Sequence, residues 1–223
     1  MLQGFFQIAL TLLLVVILTP ILGGYLARVF LSKKTFLDSV ITPVEQGIYL
    51  LGGIDTQEEM TGWQYVQAVL CSNLAVGILV FLLLIFQGWL PLNPTNLGMP
   101  TWDTALHTTI SFLANADLQH YAGEITLSYF SQIAALGFLM FIAAGTGLAV
   151  GIAFIRGLTG RRLGNYYVDL TRSITRVLLP ISIVGAVLLM ILGVPETLAG
   201  PATVTTLEGS TREHLSFHLS INA

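Results

Sequence analysis

The residues best placed to do chemistry form one short polar stretch, Ala114-Asn115-Ala116-Asp117-Leu118-Gln119, between two long apolar runs. It follows residues 104–113, half apolar (Ala105, Leu106, Ile110, Phe112, Leu113) and half hydroxylated (Thr104, Thr108, Thr109, Ser111). An apolar stretch of this length is too short to cross a bilayer and suits a segment that enters and returns. Thr101-Trp102-Asp103 reads as a helix start, with Thr101 as the cap and Asp103 in the first turn. Gly123 can take the positive φ of a tight return. A half-helix that dips into a membrane aims its C-terminal end at the centre, and that end carries partial negative charge and unpaired carbonyls. Both favour a cation, and carbonyls can replace an ion's hydration shell. One reading is therefore a cation-selective pore loop at 114–119. The other is an amphipathic helix lying on the membrane surface, and periodicity alone leaves both open.

The remaining candidates carry weaker signals. His214 and His218 have the i, i+4 spacing of paired metal ligands on a helix, but no third ligand stands out. No transition-metal site is expected. Gly147-x-x-x-Gly151, with Ala143 before it, has the spacing that lets a neighbouring helix approach closely. Asn73 and Gln87 read as interhelical hydrogen-bonding residues, and Cys71, the single cysteine, as a small apolar side chain. His107 falls on the short helix, where a protonated ring would repel a cation at the loop.

The elements that must position the loop are membrane helices. Of 223 residues 54% are hydrophobic and 9% charged, with net charge −3, against roughly 25% charged in soluble domains. Mean hydropathy is +0.80. A secreted or cytosolic enzyme and a nucleic-acid binder are excluded by this balance. Charge-free stretches at 1–27, 61–102, 125–155 and 177–195 each approach the ~20 residues of a membrane span. The first lacks a positive leader region and an A-x-A site, so it is expected to be retained. Eight of nine basic residues lie in 28–62 (Arg28, Lys33, Lys34) and 156–176 (Arg156, Arg161, Arg162, Arg172, Arg176). The positive-inside rule places both loops in the cytoplasm and the N-terminus and tail outside it.

The expected fold is an all-α integral membrane protein: four transmembrane helices plus one re-entrant helix with a filter-like loop. The organisation is a first helix at 1–28, a helix–loop–helix repeat at 62–156 with its re-entrant segment at 101–123, the first helix of a second repeat at 170–195, and an extracytoplasmic tail at 196–223 expected to be disordered.

The run Thr108-Thr109-Ile110-Ser111-Phe112 through Asn115, Gln119, Tyr121, Gly123-Glu124 and Thr126-Leu127-Ser128-Tyr129-Phe130-Ser131-Gln132 resembles the potassium-binding A subunit of the Kdp potassium-transporting ATPase. Pro91-Leu92-Asn93-Pro94, Asp55, Glu59-Met60, Trp63, Leu163-Gly164-Asn165, Val168-Asp169-Leu170 and Arg172 fit the same family. The resemblance implies part of a potassium-channel-like fold in which four pore loops surround one selectivity filter. It assigns Ala114, Asn115, Ala116, Asp117 and Gln119 to the first filter segment and Asp103, Thr108 and Ser111 to pore-helix support. It implies potassium as the bound ion, a separate P-type ATPase subunit that hydrolyses ATP, small accessory subunits, membrane lipid around the chain, and a place in the inner (plasma) membrane. The absence of a phosphorylatable Asp motif or a Gly-rich phosphate loop agrees with a non-catalytic subunit.

The family's first filter segment commonly reads Thr-Asn-Thr-Asn-Trp-Gln. Here Ala114 and Ala116 replace the hydroxyls, Asp117 the second Asn, and Leu118 the Trp. The family also continues through three more pore loops, so a truncated subunit is expected. A small homotetrameric cation channel and a non-transporting assembly or regulatory protein are the alternatives.

Overall fold

The computed structural model describes residues 2–194, 202–205 and 211–214. Its helices are α1 (Leu2–Phe30), α2 (Asp38–Gly52), α3 (Gly62–Ile85), α4 (Trp102–Leu113), α5 (Gly123–Thr126), α6 (Phe138–Leu158), α7 (Tyr166–Arg172) and α8 (Leu179–Ile191). π-helical turns at Ser131–Gly137 and Ser173–Leu178 make α6 the end of one long helix and join α7 to α8. Four stretches are long and apolar enough to cross a membrane: Gly4–Phe30, Gly62–Ile85, Ser131–Leu158 and Tyr166–Ile191. The chain is thus a multi-pass membrane protein.

Helices α3 and α6 form the frame, and each of their two ends grips a different partner. At one end Val80 and Leu84 of α3 pack with Ala105 and Phe112 of α4 and with Leu127, Ala135, Leu136 and Leu139. At the other, Tyr65 and Ala68 pack with Ala149 and Ala153 of α6 and Tyr166 of α7. Helix α1 joins only through its last turns, where Val29 and Phe30 meet Val177. Pro180 has no N–H to donate to the carbonyl four residues back, that of Arg176. The Tyr25 hydroxyl donates to that carbonyl at 2.6 Å and ties α1 to the fourth span.

Span four begins at Tyr166, well before the expected 170 or the charge-free stretch from 177. Its first turns carry Asp169, Arg172 and Arg176, and two of these charges are neutralised inside the fold. Arg156, at the end of α6, donates to both carboxylate oxygens of Asp169, at 2.6 and 3.1 Å, and to the carbonyls of Leu163 and Phe30. Gly164 has φ +88°, and a Cβ there would lie 2.8 Å from Arg156 Nη1, so glycine is needed on both counts. Arg176 donates to both oxygens of Glu45, at 2.7 and 2.6 Å, and to Asp38. Those acids belong to α2, a 15-residue helix inside a segment read from sequence only as a cytoplasmic loop.

Two expectations shift. Gly147 and Gly151 face open space within this chain. The close approach is at Gly145, whose Cβ would meet Ile174 Cγ1 at 2.9 Å and Leu170 Cδ1 at 3.1 Å. Ala143 is buried. The G-x-x-x-G spacing identified a small-residue helix but not the face its neighbour uses. In the tail, β1 (Ala202–Thr205) and β2 (Thr211–His214) pair antiparallel, with Ala202 opposite His214, where disorder is expected. The β-branched run Thr203-Val204-Thr205 favours extended backbone. His214 ends β2. The rest of 196–223, His218 included, lies outside the described residues.

Gly145→Leu should lower the melting temperature in detergent through overpacking worth about 1–3 kcal/mol, whereas Gly147→Leu should stay within about 0.5 kcal/mol of the parent. Asp38 supplies a pH prediction. Its carboxyl is held at about 2, first by the Thr35 hydroxyl and N–H and then by Arg176. A lowered folded pKa stabilises above the ordinary carboxylate value, and that contribution disappears as pH falls through about 2. The difference in melting temperature between Asp38→Asn and the parent should be flat between about pH 5 and 8 and close below about pH 4.

Candidate functional site

The polar stretch 114–119 sits at the foot of α4. Gly77 of α3 marks the depth, because a Cβ there would lie 3.2 Å from Leu113 and 3.9 Å from Thr109. Gly77 is eight residues from the end of α3 at Ile85, about 12 Å along a helix. Helix α4 therefore runs beside α3 from the level of Leu84 towards its middle. The chain then turns and climbs back along α4. Leu118 N–H donates to Ser111 Oγ at 2.6 Å, and the Thr108 hydroxyl donates to Tyr121 Oη at 3.0 Å.

The turn has a definite backbone polarity. The Ala114 N–H donates to the Ile110 carbonyl at 2.9 Å and that of Asn115 to Phe112 at 3.1 Å. Ala116 and Asp117 both donate to the Ser111 carbonyl, at 2.9 and 3.3 Å. Five successive N–H groups, those of residues 114–118, thus turn back onto α4. Among the described residues none donates to the carbonyls of 114–118. Asn115 and Asp117 have φ of 56° and 52°, a left-handed conformation that Asn and Asp tolerate better than other side-chain-bearing residues. Backbone that alternates in this way sends its N–H groups to one side and its carbonyls to the other.

Residues 114–120 are exposed in this chain, including all five proposed filter residues. The Gln119 amide donates to Tyr121 Oη at 3.4 Å. Thr108 and Ser111 are buried against the frame. Asp103 is exposed in the first turn of α4, where the helix dipole favours a carboxylate. Thr101 precedes the helix but makes no side-chain cap. Its hydroxyl lies 2.9 Å from that of Thr104, since a short threonine partner competes with the backbone amide. His107 packs edge-on against His120, with ring centroids 4.6 Å apart.

One support sits where the sequence points only to a hydrogen-bonding residue of span two. Gln87 is fully buried just beyond α3. Its amide donates to the carbonyls of Gly98 and Thr126, at 2.7 and 2.8 Å. Its oxygen accepts from the Ser128 N–H at 3.2 Å and the Ser131 hydroxyl at 3.0 Å. It therefore clamps both flanks of the α4 insertion. A lone amide between an apolar run and Pro91-Leu92-Asn93-Pro94 was the available signal. Asn73 bonds only within its own helix, to the Val69 carbonyl.

A family model described as potassium-transporting ATPase A subunit matches residues 9–217. The chain belongs to this family. A potassium-transporting ATPase potassium-binding subunit from a Nostoc species is 62% identical over 210 residues, covering 94% of this chain and 37% of that protein. One from Microcystis aeruginosa is 64% identical over 208 residues, covering 93% and 36%. A more distant relative of the same name, from Clostridium acetobutylicum, is 45% identical over 204 residues, covering 91% and 37%. The chain spans little more than a third of the length of these curated relatives. The matched region of the A subunit family contains the whole α3–α4–α6 unit described above.

Ser111→Ala removes the acceptor for the Leu118 N–H. The lost bond is worth about 0.5–1.5 kcal/mol, so amide exchange at Leu118 should accelerate roughly two- to tenfold. Thr109→Ala, whose hydroxyl only back-bonds to Ala105, should leave that exchange unchanged.

Proposed function

We propose that this chain provides the first pore loop of the potassium-binding subunit of an ATP-driven potassium uptake complex. In this reading α1 is the family's extra helix, and α3, α4, the 114–119 turn and the helix Ser131–Leu158 form the first helix–pore loop–helix repeat. Tyr166–Ile191 opens a second repeat. Helix α4 is a re-entrant pore helix, the carbonyls of 114–117 face a potassium ion in transit, and Gln119 shapes the entrance. Potassium is the transported substrate. ATP hydrolysis belongs to a separate P-type ATPase subunit, accompanied by small accessory subunits and lipid. The chain sits in the plasma membrane with its N-terminus and tail outside and 28–62 and 156–176 inside.

The observation that carries this reading is the row of five inward N–H groups beside unpaired carbonyls, at mid-depth of α3. A helix lying on the membrane surface has no reason to bury Thr108, Ser111 and Phe112 in the frame. Irregular backbone at membrane depth is tolerated where it lines a cavity or protein interior. One loop gives a quarter of a fourfold ring, so the remaining oxygens come from other polypeptide.

Thiol labelling tests the proposal. Cys71 is exposed and is first replaced by Ser. In membranes from cells making the chain with its ATPase complex, Ala116→Cys should react slowly with a charged thiol reagent added outside. Potassium, but not sodium, should slow it further, by about threefold or more. Reaction as fast as at a freely exposed position, unaffected by potassium, would sink the pore-loop reading.

A further inference from the structure

We propose that α2 is an interfacial anchor that lies in the cytoplasmic leaflet with one flank in lipid and the other in water. This inference rests on the four membrane spans and on the orientation proposed above, and stands apart from the pore-loop reading.

Helix α2 has three distinct sides. At 3.6 residues per turn, Asp38 and Glu45 share the face held by Arg176. Turning one way from that face brings up Ile48, Val44, Leu51 and Val40. Turning the other way brings up Thr42, Gln46 and Ser39, and beyond them Leu50, 83% exposed, which leads round to the apolar flank. The apolar flank is open in this chain: Val40 is 70%, Val44 52% and Leu51 91% exposed. On the polar flank, Thr42 and Gln46 line a cavity of about 470 Å³ that also takes in Glu58 and Arg172. Apolar and polar flanks on opposite sides of a protein-held face are what a helix needs when it lies in the plane of an interface beside a bundle.

Depth decides what covers the apolar flank. Arg176, which holds α2, is ten residues into the span Tyr166–Ile191, about 15 Å along the helix. Phe36, just before α2, packs on Tyr25 with ring centroids 5.6 Å apart. Tyr25 lies five residues inside the end of the span Gly4–Phe30, about 7 Å. Helix α2 is therefore beside the spans rather than beneath them, between their ends and their midpoints. Helix α1 likewise exposes apolar side chains, such as Leu18 and Leu22. Lys33 and Lys34, both exposed at the approach to α2, suit anionic headgroups. The occupant is the bilayer.

Spin labels at single cysteines, in the full chain with Cys71→Ser, test this in phosphatidylethanolamine–phosphatidylglycerol vesicles. Val44→Cys and Leu51→Cys report the apolar flank, Ser39→Cys and Gln46→Cys the polar one. All four positions are exposed, so folding is not at stake. The proposal expects collisions with oxygen to exceed those with a water-soluble nickel chelate severalfold at Val44 and Leu51, and the reverse at Ser39 and Gln46. Nickel access at all four would place α2 in the cytosol and overturn it. Protection of Val44 and Leu51 from both agents would mean that protein covers the flank, and would overturn it equally.

Discussion

A helix end leaves its last backbone groups without partners in the helix, and the structure of this chain turns on how Ser111 resolves that at the end of α4. Its carbonyl accepts two N–H groups and its hydroxyl a third. With those donors consumed, the following backbone has a single remaining polarity: carbonyls outward. The rest of this half of the molecule holds this residue in place. Phe112 is locked between α3 and α6, Thr108 grips the returning chain through Tyr121, and Gln87 fastens the segments entering and leaving the insertion. An unpaired buried amide costs about 1–3 kcal/mol, so each bond that turns an N–H inward also excludes the backbone conformations that would turn it out.

The other half of the molecule uses charge where this half uses hydroxyls. Arg156 and Arg176 enter helices that otherwise read as membrane spans, and each meets its carboxylate in two hydrogen bonds. Burying an isolated guanidinium is prohibitive, while a fully paired one is tolerable and geometrically exacting. The pairs join elements far apart in sequence: Arg156 reaches Asp169 and the end of α1, and Arg176 reaches α2. They fix one end of three spans while the opposite ends of α3 and α6 close around α4. The loop is thus held by a frame pinned at both ends.

The membrane spans were legible because lipid allows few alternatives: an apolar run of sufficient length must be a helix. Span four was read from 170, with its charge-free part only from Val177, since a rule that stops at charges cannot see that Arg176 and Asp169 have partners. Helix α2 was hidden for the same reason. Its acids looked like loop polarity until Arg176 explained them. Composition flagged α4 and its turn as unusual, but the inward N–H groups depend on Ser111 facing back along its own helix, which periodicity does not encode. The small-residue stripe of α6 was read on the face of Gly147 and Gly151 because spacing names a helix and leaves its neighbour unspecified. The neighbour, carrying Leu170 and Ile174, selects Gly145.

The departures from the family's filter pattern fall where the backbone can absorb them. The turn needs left-handed residues at 115 and 117, and Asn115 and Asp117 both accept that conformation at modest cost. Asp117 therefore preserves the geometry of the asparagine it replaces while adding a negative charge. Ala114 and Ala116 lose hydroxyls, yet their N–H groups are bound by the Ile110 and Ser111 carbonyls, so the direction of their own carbonyls does not depend on the missing side chains. The consequence is a turn whose carbonyl direction is set through its N–H groups by α4 and Ser111. The direction of those carbonyls then rests on how firmly that single helix end is held, which returns the burden to the clamp at Gln87 and the packing of Phe112.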